Sequence, residues 1–180
     1  MKTSILFTIL ILLSGLSLTA QDKKITKTGH LWFFSHTSIE DIEAHSHQAV
    51  AVFVPAKGDI AIEVSMLSFE FPKALMQEHF NENYMESAKF PKSRFVGTLT
   101  NLKNINFSKD GTYNATVEGT MTIHNVSQKI KADGTIEIDG NKIMMKSKFI
   151  VAPKDYDIKI ESRFSNNIAS SIEVNVDLTF

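Results

Sequence analysis

Gly111–His124 reads GTYNATVEGTMTIH, and its alternation decides the fold. Tyr113, Ala115, Val117, Met121 and Ile123 fall on one side together with Gly119, while Thr112, Asn114, Thr116, Glu118, Thr120, Thr122 and His124 fall on the other. That period is the one of a strand with one buried and one wet face. A strand of this length spans roughly 45 Å, far beyond the usual strand of a small domain, so it has to bend or coil around something. A closed or nearly closed antiparallel barrel answers that need and leaves no free strand edge. Its interior is then mostly hydrocarbon, which narrows function to structure or to the carriage of an apolar molecule.

The same alternation recurs on both sides of this stretch. Upstream, Thr26 to His36 reads as a first strand with Leu31 and Phe33 inward, Ile42 to Pro55 as a second, and Ile60 to Met66 as a third. The turn Lys57, Gly58, Asp59 joins the last two. Between Phe71 and Ser87 the period changes: Leu75, Met76, His79, Phe80, Asn83 and Tyr84 recur at helical spacing, with Pro72 where a first turn tolerates it. Strands resume at Ser93 to Leu102, Gly111 to Val126, Lys129 to Ile138 and, after the turn Asp139, Gly140, Asn141, at Ile143 to Val151. The segment Ala152 to Ser170 is mixed, and Ser171 to Phe180 alternates strictly to the end. This predicts an all-β, eight-stranded antiparallel barrel with one helix near an open end. An open two-sheet sandwich is the competing arrangement, because periodicity alone does not say whether a sheet closes.

The N-terminus predicts the compartment. Met1 and Lys2 are followed by an almost wholly apolar run from Ile5 to Leu18, and Leu18, Thr19, Ala20 precede Gln21 as at a peptidase site. The run is shorter than the roughly 20 residues of a membrane span, so it reads as a secretory signal over residues 1–20 followed by a single domain over 21–180, periplasmic or secreted. The chain has no cysteine, which excludes disulfides, thiolate catalysis and cysteine-bound zinc. Lys2 is one of 19 basic residues, against 20 acidic ones, so the mature part carries a net charge of about −2 and nothing points to nucleic acid.

Inward candidates for a ligand wall are Phe33, Phe53, Phe95, Tyr113, Met121, Phe149 and Leu178, with Ala115 and Gly119 as small residues that would give width. The alternative is that large and small neighbours simply fill the interior. Leu75, Phe80 and Tyr84 on the helix, with Lys92 and Arg94 at the start of the next strand, are candidates for a mouth that holds a polar head group. His45 and His47 share a strand face at a spacing that chelates a metal if a third ligand, such as Glu43 beside them, converges, and otherwise the face is simply wet. His124 is expected to fix the turn after the long strand, with Ser127 or Asn125 as partner. No catalytic triad or phosphate loop is legible, so the reading is of a binding protein without a cofactor rather than an enzyme.

Four segments in order resemble the YceI-like family. They are Val117–Val126 (VEGTMTIHNV) followed by Ser127, Gln128 and Lys129; Gly29–His36 with its two phenylalanines; Phe80–Phe95 (FNENYMESAKFPKSRF); and Val151–Ile158 (VAPKDYDI). The resemblance implies an exported bacterial protein with an extended lipocalin-like barrel that binds a polyisoprenoid, an isoprenoid quinone or another long-chain lipid, with no established catalytic site. Asn125 stands where the family's turn usually has glycine, and Glu40, Asp41, Glu43, His45 and His47 make the region after the first strand more polar than is typical. Two further readings remain at this point: a structural or stress-associated interaction protein with a filled barrel, and a small outer-membrane barrel ending in Phe180. The sequence is expected to need no stable membrane insertion, and it leaves pairing of two copies through one wall open.

Overall fold

A computed structural model describes residues 22–180, so the apolar leader and the expected cleavage after Ala20 lie outside the described residues. Eight strands follow in order: β1 (Lys24–His36), β2 (Asp41–Val54), β3 (Asp59–Ser65), β4 (Lys92–Leu99), β5 (Gly111–Ile123), β6 (Val126–Asp139), β7 (Lys142–Val151) and β8 (Ile172–Thr179). Each pairs antiparallel with its sequence neighbour, and β1 pairs with β8 to close the barrel. The sandwich alternative is thereby excluded. The expected helix is α1 (Ala74–His79), continued by a π-turn over Phe80–Tyr84.

β5 and β6 form the longest hairpin, in register from Gly111↔Ile138 to Ile123↔Val126. Its turn places His124 (φ 50°) and Asn125 (φ 63°) in the left-handed region, as a two-residue hairpin matched to strand twist requires. Asn125 therefore does what glycine would do at that point. The expected partners of His124 are corrected: its Nε2 lies 3.0 Å from Glu86 Oε2 and its ring meets Phe90 edge-on at 4.3 Å. Ser127 is instead engaged across the hairpin with Thr122, hydroxyl to hydroxyl at 2.8 Å.

The apolar side of every strand faces inward. Phe53, Ile136 and Leu178 are the largest fully buried apolar side chains, and on the largely polar outer face Ile25 and Val96 lie in one apolar row with Val52 and Ala61 across β1 to β4. A lipid-facing barrel has the opposite arrangement, so the outer-membrane reading is overturned.

Gly119 has a different role from the one expected of it. It sits directly opposite Gly97 on β4, and the Phe95 ring lies across both, 2.7 Å from where a β-carbon on Gly119 would stand. The same β-carbon would strike the carbonyl of Val96. The space over the glycine pair is thus filled by an aromatic ring rather than left as width for a ligand. Gly119→Ala is expected to destabilise the fold by about 1–3 kcal/mol through overpacking, read as a lower denaturation midpoint; an unchanged midpoint would show that both the Phe95 ring and the β4 backbone at Val96 give way freely.

The two ends of the barrel differ. At one end Phe53 meets Phe107 and Phe180 at ring distances of 5.6 and 5.9 Å. Phe180 also exchanges backbone hydrogen bonds with Ile143, so the ladder there runs to the last residue. At the other end, residues 66–91 (with α1) and residues 152–171 fold over the opening.

Candidate ligand cavity

A cavity of about 560 Å³ runs inside the barrel, almost entirely lined by hydrocarbon. That lies within the roughly 300–1,000 Å³ of a small-molecule site. Its floor is Phe53, Ile60, Leu99 and Leu178, and it ends under α1, where Phe33, Phe69, Phe71 and Phe80 form an aromatic cluster with centroids 5.0–5.8 Å apart. Aromatic rings at these separations contribute packing beyond their buried area. The helical spacing of Leu75, Met76, His79 and Phe80 turns this face of α1 and its π-turn toward the cavity.

Of the wall residues expected from sequence, Phe33, Phe53, Phe95, Ala115, Met121, Phe149 and Leu178 border the cavity. Tyr113 does not; it lies at the start of β5, and its hydroxyl donates to the Lys109 carbonyl at 2.9 Å. Gly119 does not either, being covered by Phe95. At the expected mouth, Leu75, Phe80 and Tyr84 border the cavity, whereas Lys92 faces outward and its Nζ lies 2.6 Å from Glu63 Oε1. Arg94 touches the cavity boundary but alternates with inward Ser93 and Phe95, so its side of β4 is the exposed one. The phase of the strand places both basic side chains outside.

The polar groups that do fringe the cavity come from loops. Glu40 reaches Lys73 at 3.4 Å and accepts from Asn167 Nδ2 at 3.2 Å, tying the β1–β2 loop to the residue before α1 and to the 152–171 segment. The Ala169 amide donates to the Ser35 hydroxyl at 2.9 Å. Tyr84 also borders the cavity; burial raises its hydroxyl pKa above the usual value, and Glu161 adds to this while Arg163 opposes it. Glu40, Lys73 and Asn167 were missed from sequence because they are far apart along the chain and carry no spacing signal.

The histidine pair belongs to the outer wall. His30, Trp32, His45 and His47 stack on the outside of β1 and β2, with the His30 ring 4.1 Å from His47 and 4.4 Å from Trp32. The two nitrogens of His45 are engaged separately, Nδ1 3.0 Å from His30 Nε2 and Nε2 3.2 Å from Glu43 Oε1. Among the described residues no three metal-ligating side chains converge. Burial lowers the His30 pKa, and His47 and His45 lower it further, against an opposing pull from Asp177. Below pH about 6.5 the unfolded chain accepts a proton that native His30 resists, so stability falls as pH drops through that value. Melting temperature is therefore expected to drop less between about pH 7.5 and 5.5 in His30→Gln than in the parent; equal drops would remove His30 from the account.

A model of the YceI-like domain matches residues 18–180. The chain belongs to the YceI-like family. No curated protein matches it by sequence. Among solved structures, a polyisoprenoid binding domain from Saccharophagus degradans superposes with a TM-score of 0.76 at 14% identity, over 87% of this chain and 96% of that one. BcnA of Burkholderia cenocepacia gives 0.71 at 14% identity over 84% and 96%. The Campylobacter jejuni YceI protein gives 0.54 at 15% over 99% and 92%. At these identities the likeness is one of fold, and it agrees with the closed lipocalin-like barrel of this YceI-like chain. No helix among its described residues is long and apolar enough to cross a membrane.

Proposed function

We propose that this YceI-like protein binds and stores or carries a long-chain isoprenoid, such as an isoprenoid quinone or polyprenyl compound, in the barrel, without catalysis, in the periplasm or outside the cell. The observation that carries this reading is the 560 Å³ hydrocarbon-lined space, blind at the Phe53 end and fringed with polar side chains at the α1 end. Such a tube has a direction. The tail lies toward Phe53, and the head stays near Glu40, Lys73, His79 and Asn167. Each methylene moved from water into it is worth roughly 0.8 kcal/mol, so a five-carbon isoprene unit contributes on the order of 4 kcal/mol before ordering costs. The polyisoprenoid-binding description of the Saccharophagus degradans neighbour supports the same ligand class.

Native mass spectrometry before and after organic extraction, followed by titration with polyprenyl alcohols of increasing length, tests the proposal. Co-purifying lipid and affinity that rises with chain length are expected. A consistently empty protein that takes up none of the alcohols would favour the filled-barrel interaction protein instead.

A further inference from the structure

The barrel wall is unzipped along one line. The ladder between β6 and β7 runs only from Asp139↔Lys142 to Gly134↔Ser147, although β6 continues back to Val126 and β7 onward to Val151. Gly134 makes the fork: a β-carbon there would strike the Lys146 carbonyl, so the strands touch most closely at the point from which they part. Beyond it, residues 130–133 of β6 and 148–151 of β7 have ladder partners only on their other neighbours, β5 and β8. Side chains close the two ends of the gap. The Ser147 hydroxyl donates to the Asp133 carbonyl at 2.8 Å, and Gln128 Nε2 donates to the Asp155 carbonyl at 2.8 Å.

The gap reaches the cavity. Thr135 and Lys146, a directly paired couple at the fork, border the internal space together with inward Ile130, Ala132 and Phe149. The charged side chains beside the gap are drawn off it: Lys131 reaches Glu118 on β5 at 3.4 Å, and Lys148 reaches Glu173 on β8 at 2.9 Å. The outer side of the gap carries the exposed Lys129, Lys131, Asp133 and Lys148 with Ile150, 62% exposed, among them, while the inner side is hydrocarbon. Charged residues of this kind blunt an open edge against pairing with another chain, but they leave the two strands unjoined directly over the hydrocarbon cavity.

We propose that this slot is a lateral portal through which the apolar chain of the ligand enters and leaves, side-on, while its head group remains outside the bore at the α1 end. The proposal rests on the lipid-binding reading above. A chain that slips in sideways never drags its head through the barrel. Head-group size therefore has little influence on the rate of uptake, whereas closing the slot slows uptake and release together without altering their ratio.

The absence of native cysteine makes the test specific. Lys131→Cys with Ile150→Cys places outward thiols on opposite sides of the slot, and Glu137→Cys with Met144→Cys places a control pair across the zipped part of the same two strands. Both are bridged with a short bis-alkylating reagent, and uptake and release of a fluorescent polyprenyl alcohol are followed by stopped flow. Bridging the slot is expected to slow both rates by roughly tenfold or more at unchanged affinity, with the control bridge silent. Unchanged rates in fully bridged protein would overturn the portal while leaving lipid binding intact. Failure of the unbridged protein to bind the probe would overturn the lipid-binding reading and the portal with it. Hydrogen exchange of the unsubstituted protein gives a second readout: alternate amides in 130–133 and 148–151 are expected to exchange roughly tenfold faster than those of 135–138, and equal protection would mean that the slot is zipped in solution.

Discussion

Alanine at Phe53 is expected to lower the free energy of unfolding by about 3–5 kcal/mol. Phe53 has no exposed surface and meets both Phe107 and Phe180, so the truncation removes the ring that joins the second strand to the last residue of the chain. The cost has two parts: the transfer free energy of the lost atoms and the void their neighbours do not fill. A domain of this size is stable by only about 5–15 kcal/mol in all, so the change takes away a large share. Urea denaturation followed by fluorescence of Trp32 would measure it, and Phe53→Leu should recover most of the loss. A shift below about 1 kcal/mol would mean that the blind end repacks, contrary to the tight aromatic contacts found there.

Phenylalanine at Ala115 is expected to weaken polyprenyl binding by about a thousandfold. Ala115 is buried on β5 and borders the cavity, so a ring there occupies volume that the ligand chain would otherwise take. Excluding the equivalent of one isoprene unit forfeits on the order of 4 kcal/mol, which is about three powers of ten in affinity. Because the added ring enters existing space, the denaturation midpoint should stay near that of the parent. Fluorescence titration paired with a melting curve separates the outcomes. Full affinity in a well-folded variant would place the ligand elsewhere.

The alternation and length of β5 pointed to a barrel, though its closure became legible only in the pairing of β1 with β8, and the same phase, carried along each strand, put Phe33, Phe53, Phe95, Met121 and Leu178 on the inner wall. It also held the information that Lys92 and Arg94 point outward, since Phe95 and Leu99 fix the inward phase of β4. Gly119 fell on the correct face, but nothing in its own strand announces that Phe95 of the neighbouring strand lies over it. The unzipped stretch of β6 was illegible for a related reason. Ile130, Ala132, Gly134, Ile136 and Ile138 alternate without interruption through the fork, and alternation reports which way a side chain points, not whether the backbone beside it finds a partner. The fringe of Glu40, Lys73 and Asn167 exists only once three separate loops meet.

The aromatic stopper at the Phe53 end gives the tube the character of a ruler. On the proposed binding mode, each added isoprene is expected to increase affinity until the tail abuts the Phe53 ring, and every unit past that length to stay in solvent and contribute nothing. Plotted against carbon number, binding should climb and then saturate at one value, and opening the stopper should move the plateau to longer homologues.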